Sequence, residues 1–148
     1  LYKVSVVNSR IMPAGYSGTP LAKKLGIKEG CTILLYNRPD HYWNLFSDLP
    51  DKIKELKMAK NEQADFIHVF CKTIIELEKI IPIYKTALKK TGMLWVSWPK
   101  VSSKITTDLK RELIRTHVLQ IGLVDIKVAA VDDDWSGLKF VYRVSDRN

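Results

Sequence analysis

Hydroxyl and lysine side chains cluster just after the apolar run 92–98, where the pattern predicts that a helix begins. The cluster consists of Lys100, Ser102, Ser103, Lys104, Thr106 and Thr107. The first turn of a helix carries unpaired N–H groups and a partial positive charge, which favour a bound anion. Hydroxyls and lysines would add hydrogen bonds and countercharge. These residues are therefore predicted to bind a phosphate or carboxylate; the simpler alternative is that one serine caps the helix.

A second hydroxyl-containing segment lies at 15–20, with the sequence GYSGTP. Its glycines could wrap a phosphate, but the segment does not match GxxxxGK[ST], and no GxGxxG follows a strand. A loop that leads into a capped helix is the favoured interpretation. If the two segments meet in space, one pocket would also be lined by Tyr16, Ser17, Thr19, Ser97, Trp98 and Trp135.

The sequence assigns no catalytic residue. Ser97 and Lys100 have the S-x-x-K spacing of serine enzymes that use a lysine base. That chemistry needs the beginning of a helix, whereas Pro99 and the apolar run before it imply extended chain, and the partner motif SDN is missing. The match is interpreted as accidental. Whether the protein is an enzyme, and with which cofactor, stays open.

No group of His, Cys, Asp and Glu has the spacing of a metal site. His68 lies in an apolar run and is predicted to be a hydrogen-bonded core residue. The acidic run 132–134 is interpreted as a solvated hairpin turn. Cys31 and Cys71 lie far apart in apolar runs without CxxC, which indicates reduced core cysteines. Because no signal-peptide pattern is seen either, the protein is predicted to be cytoplasmic.

The positive charge is concentrated in one part of the chain. The formal net charge is +8, and between Lys85 and Arg115 eight Lys or Arg residues stand against Asp108 and Glu112. Such a segment could attract nucleic acid or an acidic metabolite, or form a solvated basic face, which is the more common outcome. No apolar run approaches the roughly 20 residues that a membrane helix needs, so no membrane partner is expected.

The length of 148 residues is typical of one domain. We predict a single α/β domain over residues 12–148. Residues 1–11 (Leu1 to Ile11) are interpreted as a cloning remnant, an upstream extension or an edge strand. The sequence does not indicate an oligomeric state.

Strand and helix patterns alternate along the chain. Continuous apolar runs predict buried strands at 31–36, 64–70 and 92–98. Helical patterns are seen at 21–25, closed by Gly26, at 41–46, at 51–58, at 73–90 with an interruption at Pro82, and at 105–120. Strands at 124–131 and 138–144 form a hairpin. The predicted fold is a Rossmann-like three-layer α/β sandwich, with a mainly parallel sheet and a C-terminal antiparallel hairpin.

Three segments carry a resemblance to a known family. They are AGYSGTPLAKKLGIKEG at 14–30, GMLWVSWPKVSSKITTDL at 92–109 and GLVDIKVAAVDDDWSGLKFVYR at 122–143. Together they resemble a bacterial family of uncharacterised proteins, defined as a domain of unknown function, and the likeness covers the chain from Met12 onward. The resemblance implies a small bacterial protein in which residues 1–11 are an addition, but it brings no activity, cofactor or partner.

Three functions remain open from the sequence. The leading hypothesis is a non-catalytic or weakly catalytic module that binds an anionic small molecule, of phosphate or nucleotide type, at residues 100–107. The first alternative is a transferase with a reduced methyltransferase-like fold, suggested by the hairpin after parallel strands, although a glycine-rich cofactor loop is missing. The second alternative is a nucleic-acid binder that uses the basic face 85–115.

Overall fold

Six segments of the chain pair into one sheet. The structure is a computed structural model that describes residues 18–147. The strands are β1 (Thr32–Tyr36), β2 (Lys54–Leu56), β3 (Ala64–Phe70), β4 (Leu88–Pro99), β5 (Leu123–Ala130) and β6 (Trp135–Tyr142). Their order across the sheet is β2-β1-β3-β4-β6-β5. The first four strands are parallel, and β6 is antiparallel to both β4 and β5. The predicted parallel sheet with a C-terminal antiparallel hairpin is confirmed.

The central strand β3 is buried on both faces, which explains its continuous apolar sequence. Ile67 and Val69 point to one face and belong to the main core cluster. Phe66 points to the other face, where a second cluster lies, and Phe70 belongs to a third, mainly aromatic cluster. The sheet therefore separates two cores, as a three-layer sandwich requires.

Two helices cover one face of the sheet, and shorter segments cover the other. The helices are α1 (Leu21–Leu25), α2 (Ile74–Ala87) and α3 (Arg111–Gln120), with 3-10 turns at Tyr42–Leu45 and Val144–Asp146. Apolar side chains of α2 and α3 enter the main core cluster. On the opposite face, α1 and partly buried aromatic residues of the segment 42–46 pack on the sheet. The predicted three-layer α/β fold is confirmed.

Helix α1 has the predicted extent and is capped at both ends. Gly26 ends it in the left-handed conformation, with φ 94°, and donates its N–H to the carbonyl of Ala22. At the other end, the amides of Ala22 and Lys23 both lie 3.0 Å from carboxylate oxygens of Asp48. A side chain distant in sequence therefore satisfies amides of the first turn.

The segment 51–58, predicted to be helical, contains the edge strand β2 instead. Lys54–Leu56 pairs in parallel register with β1, from Thr32 to Leu34. A short amphipathic pattern suits either state, and pairing with an already formed strand decides between them. The segment 41–46 likewise forms only the 3-10 turn at Tyr42–Leu45.

The helix predicted over 105–120 begins only at Arg111. Residues before it are anchored to the start of α2, and the backbone amide of Asp108 donates to the carbonyl of Lys72 at 3.3 Å instead of to a carbonyl of its own helix. The hydroxyl of Thr107 donates to the carbonyl of Lys72 at 2.6 Å, and the carboxylate of Asp108 accepts from the amide of Ile74 at 2.9 Å. Ser102 to Thr107 therefore form an irregular loop, and the prediction that they occupy a first helical turn is wrong.

Helix α2 continues through Pro82, so the predicted interruption is not observed. Proline removes one backbone donor, but the affected turn lies on an exposed part of the helix, where water can replace the lost bond. The helix ends at Ala87 and not at 90, because Leu88 already pairs with Ala64 in the sheet.

Residues 1–11, Tyr16 and Ser17 lie outside the described part of the chain, so the predicted domain boundary at residue 12 stays a prediction. Among residues 18–147, no helix is both long and apolar enough to cross a membrane.

Candidate functional site

The carboxyl ends of three neighbouring parallel strands meet at one edge of the sheet. β1 ends at Tyr36, β3 at Phe70 and β4 at Pro99. From β1 the chain first moves outward to β2 and then returns to form β3 on the other side of β1. Ligands of open α/β sheets bind outside the carboxyl ends of the strands, most often where the strand order reverses in this way.

A pocket of about 690 Å³ lies beside the loop that follows β4. Its lining contains Trp98, Pro99, Lys100, Val101, Ser103, Lys104, Ile105, Thr106, Thr107, Leu109, Lys110 and Arg111. Five of the six residues predicted to bind an anion line this pocket, and only Ser102 does not. The structure thus brings the predicted cluster together, although by a loop and not by a helix N-terminus.

Two of the hydroxyls in the pocket hold the loop in shape. Ser103 donates to the carboxylate of Asp134 at 2.9 Å and accepts from the amide of Ile105 at 3.1 Å. Thr107, which donates to Lys72, also accepts from the amide of Leu109 at 3.0 Å. Both hydroxyls act as local turn-forming groups, a common role of Ser and Thr in loops. Thr106 is exposed.

Positive charge surrounds the pocket on its loop side. Lys104, Lys110 and Arg111 are exposed, and Lys100 is half-buried. The sequence places Lys110 and Arg111 in the basic segment 85–115 but not in the anion-binding cluster. Arg111 lies 3.1 Å from the carboxylate of Glu112, a neighbour in sequence at an exposed position. Such an exposed pair contributes little to stability.

Three residues predicted to line the same pocket lie elsewhere. Ser97 is fully buried, and Trp135 is 6% exposed and packs edge-on against Phe70, with ring centres 5.1 Å apart. Thr19 precedes α1, which packs on the opposite face of the sheet, and it is not among the lining residues. Of the described candidates in that group, only Trp98 reaches the pocket.

Ser97 belongs instead to a buried trio with Tyr42 and His68. The Nε2 atom of His68 lies 2.6 Å from the hydroxyl of Ser97, and Nδ1 lies 3.0 Å from the hydroxyl of Tyr42. Burial lowers the pKa of His68 to about 3 and raises the pKa of Tyr42. All three side chains are 0% exposed, so the trio cannot meet a substrate. The prediction of a hydrogen-bonded core histidine is confirmed.

The acidic turn 132–134 connects two loops at the same edge of the sheet. The carboxylate of Asp132 lies 3.1 Å from Nε2 of His41 and accepts 2.8 Å bonds from the amides of Asp134 and Trp135. The backbone of Asp134 accepts from the amide of Lys100 at 2.8 Å. Among the described residues, no group of three or more potential ligands could hold a metal ion. The turn instead fixes the loop after β4.

The basic segment 85–115 does not form one face. Lys85 and Lys90 lie 5.5 and 4.5 Å from the ring centre of Tyr142, near the beginning of β4. Lys100 and Lys104 follow the end of that strand. Because β4 has 12 residues, its ends are separated by roughly 35 Å. The cations of the basic segment therefore lie in two separate groups, and the binding of nucleic acid by the segment 85–115 stays a prediction.

Solved structures of similar fold include several methyltransferases. A SAM-dependent methyltransferase from Aquifex aeolicus has a TM-score of 0.56 and 14% identity, over 80% of this chain and 85% of that one. The DhpI–SAH complex has a TM-score of 0.58 and 10% identity, over 95% and 91% of the two chains. For an N1-methyltransferase of Burkholderia thailandensis with bound S-adenosylhomocysteine, the TM-score is 0.53 and the identity 7%, over 81% and 73%.

The chain has a Rossmann-like α/β fold, which these solved structures share. At these identities the comparisons establish the fold alone, because one fold serves many functions. Neither a family model nor a curated protein matches the sequence. The likeness of the three sequence motifs to a bacterial family of uncharacterised proteins therefore stays a prediction.

The strand reversal between β1 and β3 is where a nucleoside cofactor of this fold class would be expected. The turn after β1, residues 37–40, contains no glycine, and Asn37 there donates to the carbonyl of Phe70 at 3.4 Å. Tyr36 donates its hydroxyl to Glu76 at 2.9 Å. Burial and this carboxylate raise the pKa of Tyr36 to about 12.

The backbone amides at the beginning of α2, which faces the same reversal, also have hydrogen-bond partners within the protein. The amide of Ile74 donates to Asp108, and the amide of Glu76 donates to the hydroxyl of Thr73 at 3.1 Å. The amide of Lys72 donates to the carboxylate of Glu76 at 3.0 Å. The described residues at the reversal therefore do not fit an adenosyl cofactor, and we derive no methyl-transfer step through one.

Proposed function

We propose that this protein binds a small nucleoside-type molecule with a phosphate or carboxylate group, in the pocket that follows β4. The position of the pocket carries the proposal. It opens beside the carboxyl edge of the parallel strands, and Lys104, Lys110 and Arg111 stand around it. The S-adenosylhomocysteine bound to proteins of similar fold supports the nucleoside part. The three exposed cations support the anionic part.

The charge of the pocket distinguishes between nucleoside ligands. S-adenosylmethionine carries a positive sulfonium, which S-adenosylhomocysteine lacks, and a nucleoside triphosphate carries several negative charges. Cations at the rim attract the triphosphate most strongly and repel the sulfonium. The expected order of affinity is therefore adenosine triphosphate, then S-adenosylhomocysteine, then S-adenosylmethionine and unmodified adenosine. Trp98 offers an aromatic surface to the base.

Isothermal titration with these four molecules tests the proposal. In the double variant Lys104→Ala, Lys110→Ala we expect adenosine triphosphate to bind about tenfold more weakly, because at least one charge-assisted hydrogen bond is lost. The matched control is Lys57→Ala, Lys60→Ala, which removes the same charge from exposed positions just after β2. Equal weakening in both variants, or no binding of any of the four molecules, would overturn the proposal.

Methyl transfer is the second candidate, because two of the similar structures are named as methyltransferases. Methyl transfer is disfavoured because the backbone amides at the β1–β3 reversal already donate to groups of the protein. A saturable titration with S-adenosylmethionine that is unaffected by the Lys104→Ala, Lys110→Ala substitutions would favour this candidate over ours. We expect instead that the double substitution changes the affinity for S-adenosylmethionine, since the ligand shares the pocket after β4 and its sulfonium is no longer repelled by the two lysines.

A further inference from the structure

Four lysines meet on the face of the sheet that α1 covers, away from the pocket. We name Lys24, Lys28, Lys127 and Lys139 the lysine cluster. Lys127 on β5 and Lys139 on β6 are directly opposite each other in the antiparallel pair. The ammonium of Lys127 lies 2.8 Å from the carbonyl oxygen of Lys24, which places α1 beside them. Like charges directly opposite each other in a sheet destabilise it.

None of the ion pairs among the described residues involves a member of the lysine cluster. The groups that do contact the cluster are uncharged: the carbonyl of Lys24 and the ring of Trp95, whose centre is 6.0 Å from the ammonium of Lys139. Residues 1–17 contain no Asp or Glu, so that segment cannot supply a side-chain carboxylate.

The lysines are close enough to influence one another. Burial, Lys127 and Lys100 lower the pKa of Lys24. Burial, Lys127 and Lys28 lower the pKa of Lys139. Lys100 begins the loop after β4, so positive charge extends from the β5–β6 hairpin past α1 to the carboxyl edge of the sheet. A positive surface of this extent, built from several elements, suits a chain of phosphates better than a single ion.

We propose that the lysine cluster binds the phosphate backbone of a nucleic acid. The juxtaposition of Lys127 and Lys139 costs stability in the isolated protein, and a bound polyanion removes that cost. The formal charge of +8 would assist the encounter over a longer range. This surface differs from the basic face over 85–115 that the sequence suggested. None of the four lysines of the cluster lines the pocket after β4, so the two proposals can be tested separately.

Fluorescence anisotropy with a labelled 20-nucleotide single-stranded RNA and a 20-base-pair DNA duplex, at 50 and 200 mM NaCl, tests the proposal. The variant is Lys127→Gln, Lys139→Gln, and the control Lys57→Gln, Lys60→Gln removes the same charge near β2. We expect the cluster variant to bind at least tenfold more weakly at 50 mM NaCl. The slope of log affinity against log salt should fall by about 2, one for each lost phosphate contact.

A second measurement separates binding from a structural role of these lysines. Without nucleic acid, the single variant Lys139→Gln keeps the contact between Lys127 and α1 but removes the repulsion, so its midpoint of thermal unfolding should rise at low salt. A lower midpoint would show that Lys139 is structural and would overturn the proposal. Equal loss of binding in the control, no binding of either nucleic acid at 50 mM NaCl, or binding only to anionic lipid vesicles would also overturn it.

Binding of adenosine triphosphate distinguishes this proposal from the one for the pocket. The cluster variant should bind the nucleotide as the unmodified protein does, because its substitutions lie outside the pocket lining. Loss of nucleic-acid binding with nucleotide binding retained supports the lysine cluster, whatever the outcome at Lys104 and Lys110.

Discussion

Two polar groups of side chains lie on either side of strand β4, and they differ in every property that matters for function. The trio of Tyr42, His68 and Ser97 is fully buried, and its hydrogen bonds are made within the protein. The pocket after β4 is open, and Lys104 and Lys110 at its rim are exposed. The trio has the residue types of a catalytic site but no access, whereas the pocket is accessible and its cations suit the binding of an anion.

The difference shows that residue type alone does not identify a site. A buried polar group must find partners inside the protein, and once it has them it contributes stability and specificity of the fold. A binding site needs donors and charges that are held in place without being satisfied. At the β1–β3 reversal, Asp108, Thr73 and Glu76 satisfy the backbone donors, and this part of the edge resembles the trio more than the pocket.

Removal of the histidine from the trio should have the largest effect. His68→Ala leaves the hydroxyls of Tyr42 and Ser97 buried without their partner and opens a cavity between them. We expect the free energy of unfolding in urea to fall by about 3 kcal/mol or more. Nucleotide binding by the folded variant should not change, because His68 does not line the pocket.

A matched set of variants isolates the cost of the unsatisfied hydroxyls. Tyr42→Phe and Ser97→Ala each remove one partner and should cost about 1 kcal/mol. The triple variant Tyr42→Phe, His68→Leu, Ser97→Ala should be more stable than His68→Leu alone, because no polar group is then left without a partner. If the triple variant is the less stable of the two, the three side chains do not form one interdependent hydrogen-bonded group.

The same histidine predicts a dependence of stability on pH. Burial holds the pKa of His68 at about 3 in the folded protein, against 6.5 for an ordinary histidine. The unfolded chain therefore takes up a proton below about pH 6.5 that the folded protein does not. The stability due to neutral His68 is present above that pH and is lost as the pH falls toward 3, with a slope of up to about 1.4 kcal/mol per pH unit.

Urea unfolding between pH 7 and pH 4 measures this slope. Carboxylates contribute to it at the lower end, so the informative quantity is the difference between the protein and a His68→Gln variant. His117→Gln, at a half-exposed position, provides the control. Identical slopes for the protein and His68→Gln would show that His68 takes up a proton in the folded state.

The fold could be predicted from the sequence where the pattern is long or strongly apolar. The runs at 31–36, 64–70 and 92–98 give β1, β3 and most of β4, because buried parallel strands need continuous apolar residues. The edge strand β2 was missed because a three-residue strand has too few residues to show a period. Its identity depends on pairing with β1, a contact distant in sequence.

The site was predictable in composition but not in geometry. Local clustering revealed five of the residues that line the pocket. The loop shape depends on contacts of Thr107 with Lys72 and of Ser103 with Asp134, which join positions about 30 residues apart. The same is true of Ser97, whose partner His68 lies on another strand. Sequence patterns describe local preference, and these contacts exist only once the sheet has formed.

The smallest expected effect concerns the carboxylate that contacts the pocket. Asp134 lies 2.9 Å from the hydroxyl of Ser103 and competes there with any anionic ligand. Because this bond is exposed, Asp134→Asn should change the free energy of unfolding by less than about 0.5 kcal/mol. It should nevertheless bind adenosine triphosphate about threefold more tightly, whereas Asp133→Asn, an exposed neighbour with the same charge change, should have a smaller effect. Titrations of both variants measure this, and equal gains would mean that general charge and not the contact with Ser103 governs the pocket. A gain specific to Asp134 would show that the loop after β4 holds its donors ready for an anion, which the buried trio on the other face of β4 cannot do.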